Sequence, residues 1–233
     1  MDLVLTGWPF AGLAIALVLL VILFAMPWAG KPWRARWSDT RWLLWLAVPV
    51  YMLHQFEEHG IDLLGRPSAF RAYMCGTLGY RGPDLSACPA DPVFLFTVNV
   101  GTVWIASVVG ALTARRRVMV GFCGIAIPLV NAAVHILPAL LRGAYNPGVA
   151  TAAFIFVPFT AWVLHTFLRQ GLVDPPRVAL AVVLGIALHV SLIGSLFAAS
   201  AGVIGRDLLL AIQPLNALVL VGVGLALRPA TPT

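Results

Sequence analysis

The chain has 233 residues, 61% of them hydrophobic and 10% charged, with a mean hydropathy of +0.93. These values exclude an ordinary soluble domain and describe a polytopic, all-α membrane protein occupying residues 1–233 as a single domain. The net charge of +6 does not point to nucleic acid, because the basic residues fall in short loops between apolar stretches, where they orient a membrane protein.

Seven apolar stretches have the length of about 20 residues that crosses the hydrocarbon layer. They cover approximately 8–28, 41–63, 92–114, 117–141, 148–168, 178–200 and 207–228. The first is too long for a signal-peptide core and lacks a basic n-region, so it reads as a retained span. Pro49, Pro128, Pro138 and Pro158 fall inside spans and favour kinks there. Seven spans put Lys31, Arg34, Arg36, Arg41, Arg115, Arg116, Arg117, Arg169, Arg177 and Arg228 on one side. Arg66, Arg71, Arg81, Arg142 and Arg206 fall on the other. The excess of basic residues assigns the first group to the cytoplasm, so the N-terminus is expected outside and the C-terminus in the cytoplasm.

The longest loop, about 64–91, then lies outside the membrane and is expected to form a lid. It holds Cys75 and Cys88, which an oxidising compartment would join in a disulfide. Cys123 reads as a small core residue within the fourth span.

The second span contains His54-Gln55-Phe56-Glu57-Glu58-His59. Ionisable groups at that depth are costly unless paired or facing an internal cavity, so they mark a candidate site. With 3.6 residues per turn, His54, Glu57 and Glu58 share one helical face while His59 points away. The expected orientation places Asn99, the i, i+4 pair Asn131 and His135, the segment Tyr145-Asn146-Pro147-Gly148, Gln213 and Asn216 in the same outer layer. His165, near the cytoplasmic end of the fifth span, reads as interfacial. His189 is mid-span in the sixth. For Asn99, Asn131, Gln213 and Asn216 a structural reading is interhelical hydrogen bonding.

The His-x-x-Glu-Glu of His54, Glu57 and Glu58, the later Asn131-x-x-x-His135, and Tyr145-Asn146-Pro147-Gly148 resemble the HXXEE domain family, with the likeness covering roughly 40–165. That family consists of bacterial integral membrane proteins without a defined biochemistry, so the resemblance implies a bacterial cytoplasmic membrane and one shared site but no reaction. The paired glutamates are also similar to those of intramembrane glutamate proteases of the CAAX-processing type. Leu63, however, stands where their motif requires arginine. The seven-span plan looks like that of membrane-bound terpene cyclases, by architecture alone.

The residues admit three functions, with the balance toward an enzyme. In the first, His54, Glu57, Glu58 and His135 ligate iron or zinc, Asn131 or Asn99 orient them, and Glu57, Glu58, His54, His135 and Asn131 act in catalysis. In the second, a metal-free glutamate is the general acid of an isomerase or cyclase. In the third, the cluster couples transport to protons or cations. For either enzyme the expected partner is an amphiphilic, lipid-like or isoprenoid substrate entering from the membrane. Asn146-Pro147-Gly148 and the Cys75–Cys88 loop would roof the cavity, Tyr145 would stand beside the substrate, and Arg66 or Arg71 would hold an anionic head group.

Overall fold

The computed structural model describes residues 2–30 and 32–230, all helix and loop with no strand among the described residues. Lys31, one of the basic loop residues, lies outside them. The membrane-length helices are α1 (Asp2–Ala25), α4 (Pro92–Thr113), α5 (Val118–Arg142), α6 (Val149–Arg169), α7 (Pro175–Ser200) and α8 (Arg206–Ala226). Among the described residues these six are long and apolar enough to span a membrane, so this is a multi-pass membrane protein. The expected second span differs. Its α-helix, α2 (Thr40–Gln55), has only 16 residues and continues as a π turn, Phe56–Gly60. A short helix, α3 (Ala69–Thr77), lies in the expected lid loop.

Local chemistry fixes several of these boundaries. Asp39 caps α2 by accepting from the backbone N–H groups of Arg41 and Trp42 at 2.9 and 3.1 Å. Arg36 is buried and donates to the carbonyls of Leu23 and Phe24, satisfying oxygens that the end of α1 leaves open. Pro128 has no N–H for the Gly124 carbonyl, and α5 is interrupted at Ile125.

Small residues let the helices approach closely, as expected where lipid tails compete with apolar side chains for contact. A Cβ on Gly110 would lie 2.9 Å from the Gly121 Cα, and one on Gly224 would lie 2.5 Å from the Val120 Cα. These contacts draw α4, α5 and α8 together. Trp42, Leu43, Phe122, Phe156 and Phe167 form the fully buried core. Leu3, Val18, Val21, Val183, Val190 and Leu218 are exposed on the outer faces, as a lipid-facing surface requires.

Cys75 and Cys88 form a disulfide with their Cα atoms 5.9 Å apart. Both pack with Phe94, Leu196 and Leu209, which fastens the lid to α4, α7 and α8. Among the described residues there are three π turns: Phe56–Gly60 at the end of α2, Asn99–Trp104 within α4 and Ala152–Phe156 within α6. Each adjoins the polar cluster, and π turns recur at functional sites because the extra residue re-aims neighbouring side chains.

Candidate metal centre

His54 leaves the last turn of α2, Glu58 the π turn that follows, and His135 the middle of α5. Their ligating atoms all lie within 4.8 Å of one another, and this buried group could hold a metal ion. The His135 Nε2 is 3.1 Å from Glu58 Oε1, and the His54 Nε2 is 3.4 Å from Glu58 Oε2. Metal bonds of about 2.0–2.1 Å in a tetrahedral arrangement separate neighbouring ligand atoms by roughly 3.3 Å, and each imidazole stands near that distance from a different oxygen of Glu58. His54 is 0% exposed and both Glu58 and His135 are 4%, which leaves little water to screen the charge of Glu58.

The hydrogen bonds around these side chains fix where their protons sit. The Asn146 amide N–H donates to the His135 backbone carbonyl at 2.9 Å, so its Oδ1 is the acceptor for His135 Nδ1, also at 2.9 Å. His135 therefore carries a proton on Nδ1 and turns its Nε2 toward Glu58. The Thr151 hydroxyl donates to Glu57 Oε2 at 2.5 Å and accepts from His54 Nδ1 at 2.8 Å. His54 likewise points its Nε2 inward, and that buried atom has no hydrogen-bond partner. Two imidazole nitrogens and a carboxylate thus face one point, and a cation or a proton is needed between them.

Backbone conformation makes room for this cluster. Gly148 has φ +96°, and a Cβ there would lie 2.7 Å from His135 Cε1, 2.9 Å from His54 Cε1 and 3.0 Å from Glu58 Cγ. The Asn146-Pro147-Gly148 turn therefore lies directly against the three side chains. Phe156 stacks near His54, with ring centroids 4.3 Å apart, and Phe70 of α3 covers His59 and His135 at 5.1 and 6.1 Å.

Glu57 is placed elsewhere. Its Oε1 accepts from the Tyr145 hydroxyl at 2.9 Å and the Ala150 N–H at 3.2 Å. Its Oε2 accepts from the N–H of Thr151 at 2.7 Å as well as from the hydroxyl. The expectation that both glutamates face one ion thus needs correction. The π turn departs from 3.6-residue spacing, and Glu57 becomes a carboxylate clamp on the N-terminus of α6, where backbone donors and the helix dipole favour an anion. It reaches the cluster only through Thr151.

The same turn brings His59 inward, contrary to the expectation that it points away. Its Nε2 is 3.5 Å from Glu58 Oε2. The Trp104 indole N–H donates to Gln55 Oε1, Gln55 Nε2 to Asn99 Oδ1 at 2.8 Å, and Asn99 Nδ2 to the Leu95 carbonyl and His59 Nε2 at 2.8 and 3.2 Å. An indole can only donate, so this chain runs in one direction and occupies the His59 lone pair. Asn99 therefore orients His59 rather than His54 or His135. Asn131 is not in the cluster; its Nδ2 bonds the Tyr51 hydroxyl at 3.1 Å and its Oδ1 is buried without a partner. Arg66 is not aimed at the site either. It pairs with Asp62 at 2.7 Å and lies 5.7 Å from the Tyr145 ring centroid, while Arg71 donates to the carbonyls of Leu85 and Ala90.

A cavity of about 260 Å³ opens from Glu58, His59 and His135 between α4, α5, α7 and α8. Most of its wall is apolar, and it reaches Asn131, His189, Gln213 and Asn216. Sequence reasoning missed Thr151, Tyr51 and Arg142. Arg142 lies seven residues after His135 and thus on the same helical face, which was a readable signal; Thr151 had none beyond its place just after the turn.

No curated protein and no solved structure matches the chain. Residues 45–163 match the family described as proteins of unknown function with an HXXEE motif, and that motif is His54-Gln55-Phe56-Glu57-Glu58 here. The chain belongs to this HXXEE family.

Proposed function

We propose that the protein is an integral-membrane enzyme that holds one iron or zinc ion on His54, Glu58 and His135 and acts on an amphiphilic, lipid-like or isoprenoid substrate. The observation that carries this reading is the convergence of two imidazole Nε2 atoms on a buried carboxylate, with each imidazole held through Nδ1. Metal-bound histidines characteristically use one ring nitrogen for the ion and give the other's N–H to a neighbouring acceptor. Three protein ligands leave a position for water or substrate, where the ion would supply Lewis acidity or an activated water.

The chain's own residues would prepare that chemistry. Asn146 and Thr151 hold the imidazole protons away from the ion, Glu57 fixes Thr151, and Phe70 and Phe156 limit water. The cavity suits a partner from the lipid phase, since most of its wall is apolar and Val134 and Phe197, which line it, are exposed. With the orientation inferred from the basic residues, the site lies toward the outer face of a bacterial cytoplasmic membrane.

A metal-free acid is the second reading. A single proton between His135 Nε2 and Glu58 Oε1 fits their 3.1 Å separation, and Glu58 could then pass a proton to an alkene or epoxide. Purified wild-type and Glu58→Gln protein, incubated with a membrane lipid extract and followed by mass spectrometry, tests the proposal. Wild-type-specific products abolished by chelation and restored by one metal support it. Products insensitive to chelation favour the acid, and no product together with proton-coupled uptake in vesicles contradicts both enzyme readings.

A further inference from the structure

Arg142 ends α5 at the same cavity that His135 borders two turns earlier. Seven residues of helix separate them along the axis by about 10 Å. The Arg142 Nη1 donates to the Tyr73 hydroxyl at 3.4 Å, and its guanidinium lies 5.9 Å from that ring's centroid. No Asp or Glu among the described residues pairs with it, whereas Arg66 and Arg206 are paired with Asp62 and Asp91. Among the described residues, Arg142 is the one Lys or Arg lining the cavity. A guanidinium and a phenol thus stand at one end of an apolar chamber, while Glu58 and His135 border it deeper in.

From this we infer that the cavity takes a single-chain amphiphile with an oxyanion head, a carboxylate or a phosphate monoester. The head sits between Arg142 and Tyr73, and the apolar body passes Pro138 and Val134. A segment of the chain roughly 10 Å from the head lies against Glu58 and His135. Val134 and Phe197 line the cavity and are exposed, and a lateral route from the bilayer would pass between them. Planar guanidinium and phenol hydroxyl donors together suit the in-plane oxygens of an oxyanion. This inference rests on the cavity assigned above to the substrate, but it does not require the metal.

Binding of cis-parinarate to the protein in phosphatidylcholine nanodiscs tests it, read by energy transfer from tryptophan after subtraction of empty nanodiscs. Arg142→Gln is expected to weaken parinarate binding about tenfold or more, the loss of one charge-assisted interaction. Tyr73→Phe should weaken it less. Arg66→Gln, at a residue paired elsewhere, should leave it unchanged, and so should Arg142→Gln for the uncharged methyl ester. Dodecanoate and dodecyl phosphate as competitors then distinguish the two head groups, with dodecanol as the uncharged control.

Absence of a protein-dependent signal, equal affinity for acid and ester, or unchanged affinity in Arg142→Gln overturns the inference. Metal content is measured on the same samples. Arg142-dependent binding in protein that takes up no metal upholds the inference while defeating the metal reading. Arg142-independent binding in metal-loaded protein defeats the inference alone.

Discussion

Replacing Gly148 with alanine tests the close approach of the Asn146-Pro147-Gly148 turn to the cluster. Two costs add. A non-glycine residue at φ +96° carries backbone strain of about 1–2 kcal/mol. The new methyl group would lie 2.7 and 2.9 Å from the Cε1 atoms of His135 and His54, and overpacking of this kind costs about 1–3 kcal/mol more. Gly202→Ala is the matched control, because Gly202 has φ +72° with nothing within 4 Å of its added Cβ. It incurs only the strain. Thermal stability should therefore fall further in Gly148→Ala than in Gly202→Ala, and metal affinity should fall by about 10–100-fold in the former alone, as when the support of a metal ligand is lost. Thermal unfolding in detergent and metal titration read both quantities. Equal stability in the two variants, with metal binding intact in each, would refute the placement of the turn against the ligands.

Glu57→Gln should destabilise the protein by about 1–3 kcal/mol, because one side-chain amide N–H would face donors at Tyr145 and Ala150 or at Thr151. Unfolding of this variant beside Glu58→Gln, which should lose metal, separates a clamp from a ligand. Removing the Cys75–Cys88 bridge with Cys75→Ser should cost about 3 kcal/mol in the chain-entropy view of its thirteen-residue separation, and a reductant should lower wild-type thermal stability to match. Burial raises the Asp62 pKa, but hydrogen bonds from the Arg66 side chain and backbone outweigh it and hold the carboxyl below its ordinary range. A depressed carboxyl contributes stability that is complete above its unfolded pKa near 3.9 and is lost as pH falls toward the folded value. Stability measured against pH should therefore drop on the acid side in wild type and drop less in Asp62→Asn; an identical acid limb would contradict this.

The membrane helices were legible because hydrophobic length is a local property: the stretch expected at 92–114 is Pro92–Thr113, and that at 178–200 is Pro175–Ser200. The second span was harder to read, since its α-helix stops at Gln55 and a π turn carries the chain to Gly60. That turn depends on tertiary surroundings, and a Cβ on Gly60 would lie 2.5 Å from the Phe56 ring. The clustering of His54, Glu58 and His135 could be anticipated from shared depth and spacing. The opposite fates of Glu57 and His59 could not, because helical periodicity assumes the α geometry that the π turn breaks. Asn146 was identifiable beside the site, but its bond to His135 depends on how α5 and the following turn meet. Arg142, not Arg66, lines the cavity for a similar reason. An arginine's availability is set by its partners, and Asp62, four residues before Arg66, had already engaged it.

The central claim is that His54, Glu58 and His135 form a metal centre. Elemental analysis by mass spectrometry of the purified protein, beside Glu58→Gln and His135→Ala, tests it most directly. Wild type should hold about one equivalent of iron or zinc, and both variants should lose it while remaining folded. Wild-type protein that takes up neither metal after reconstitution, or variants that retain the full equivalent, would contradict it.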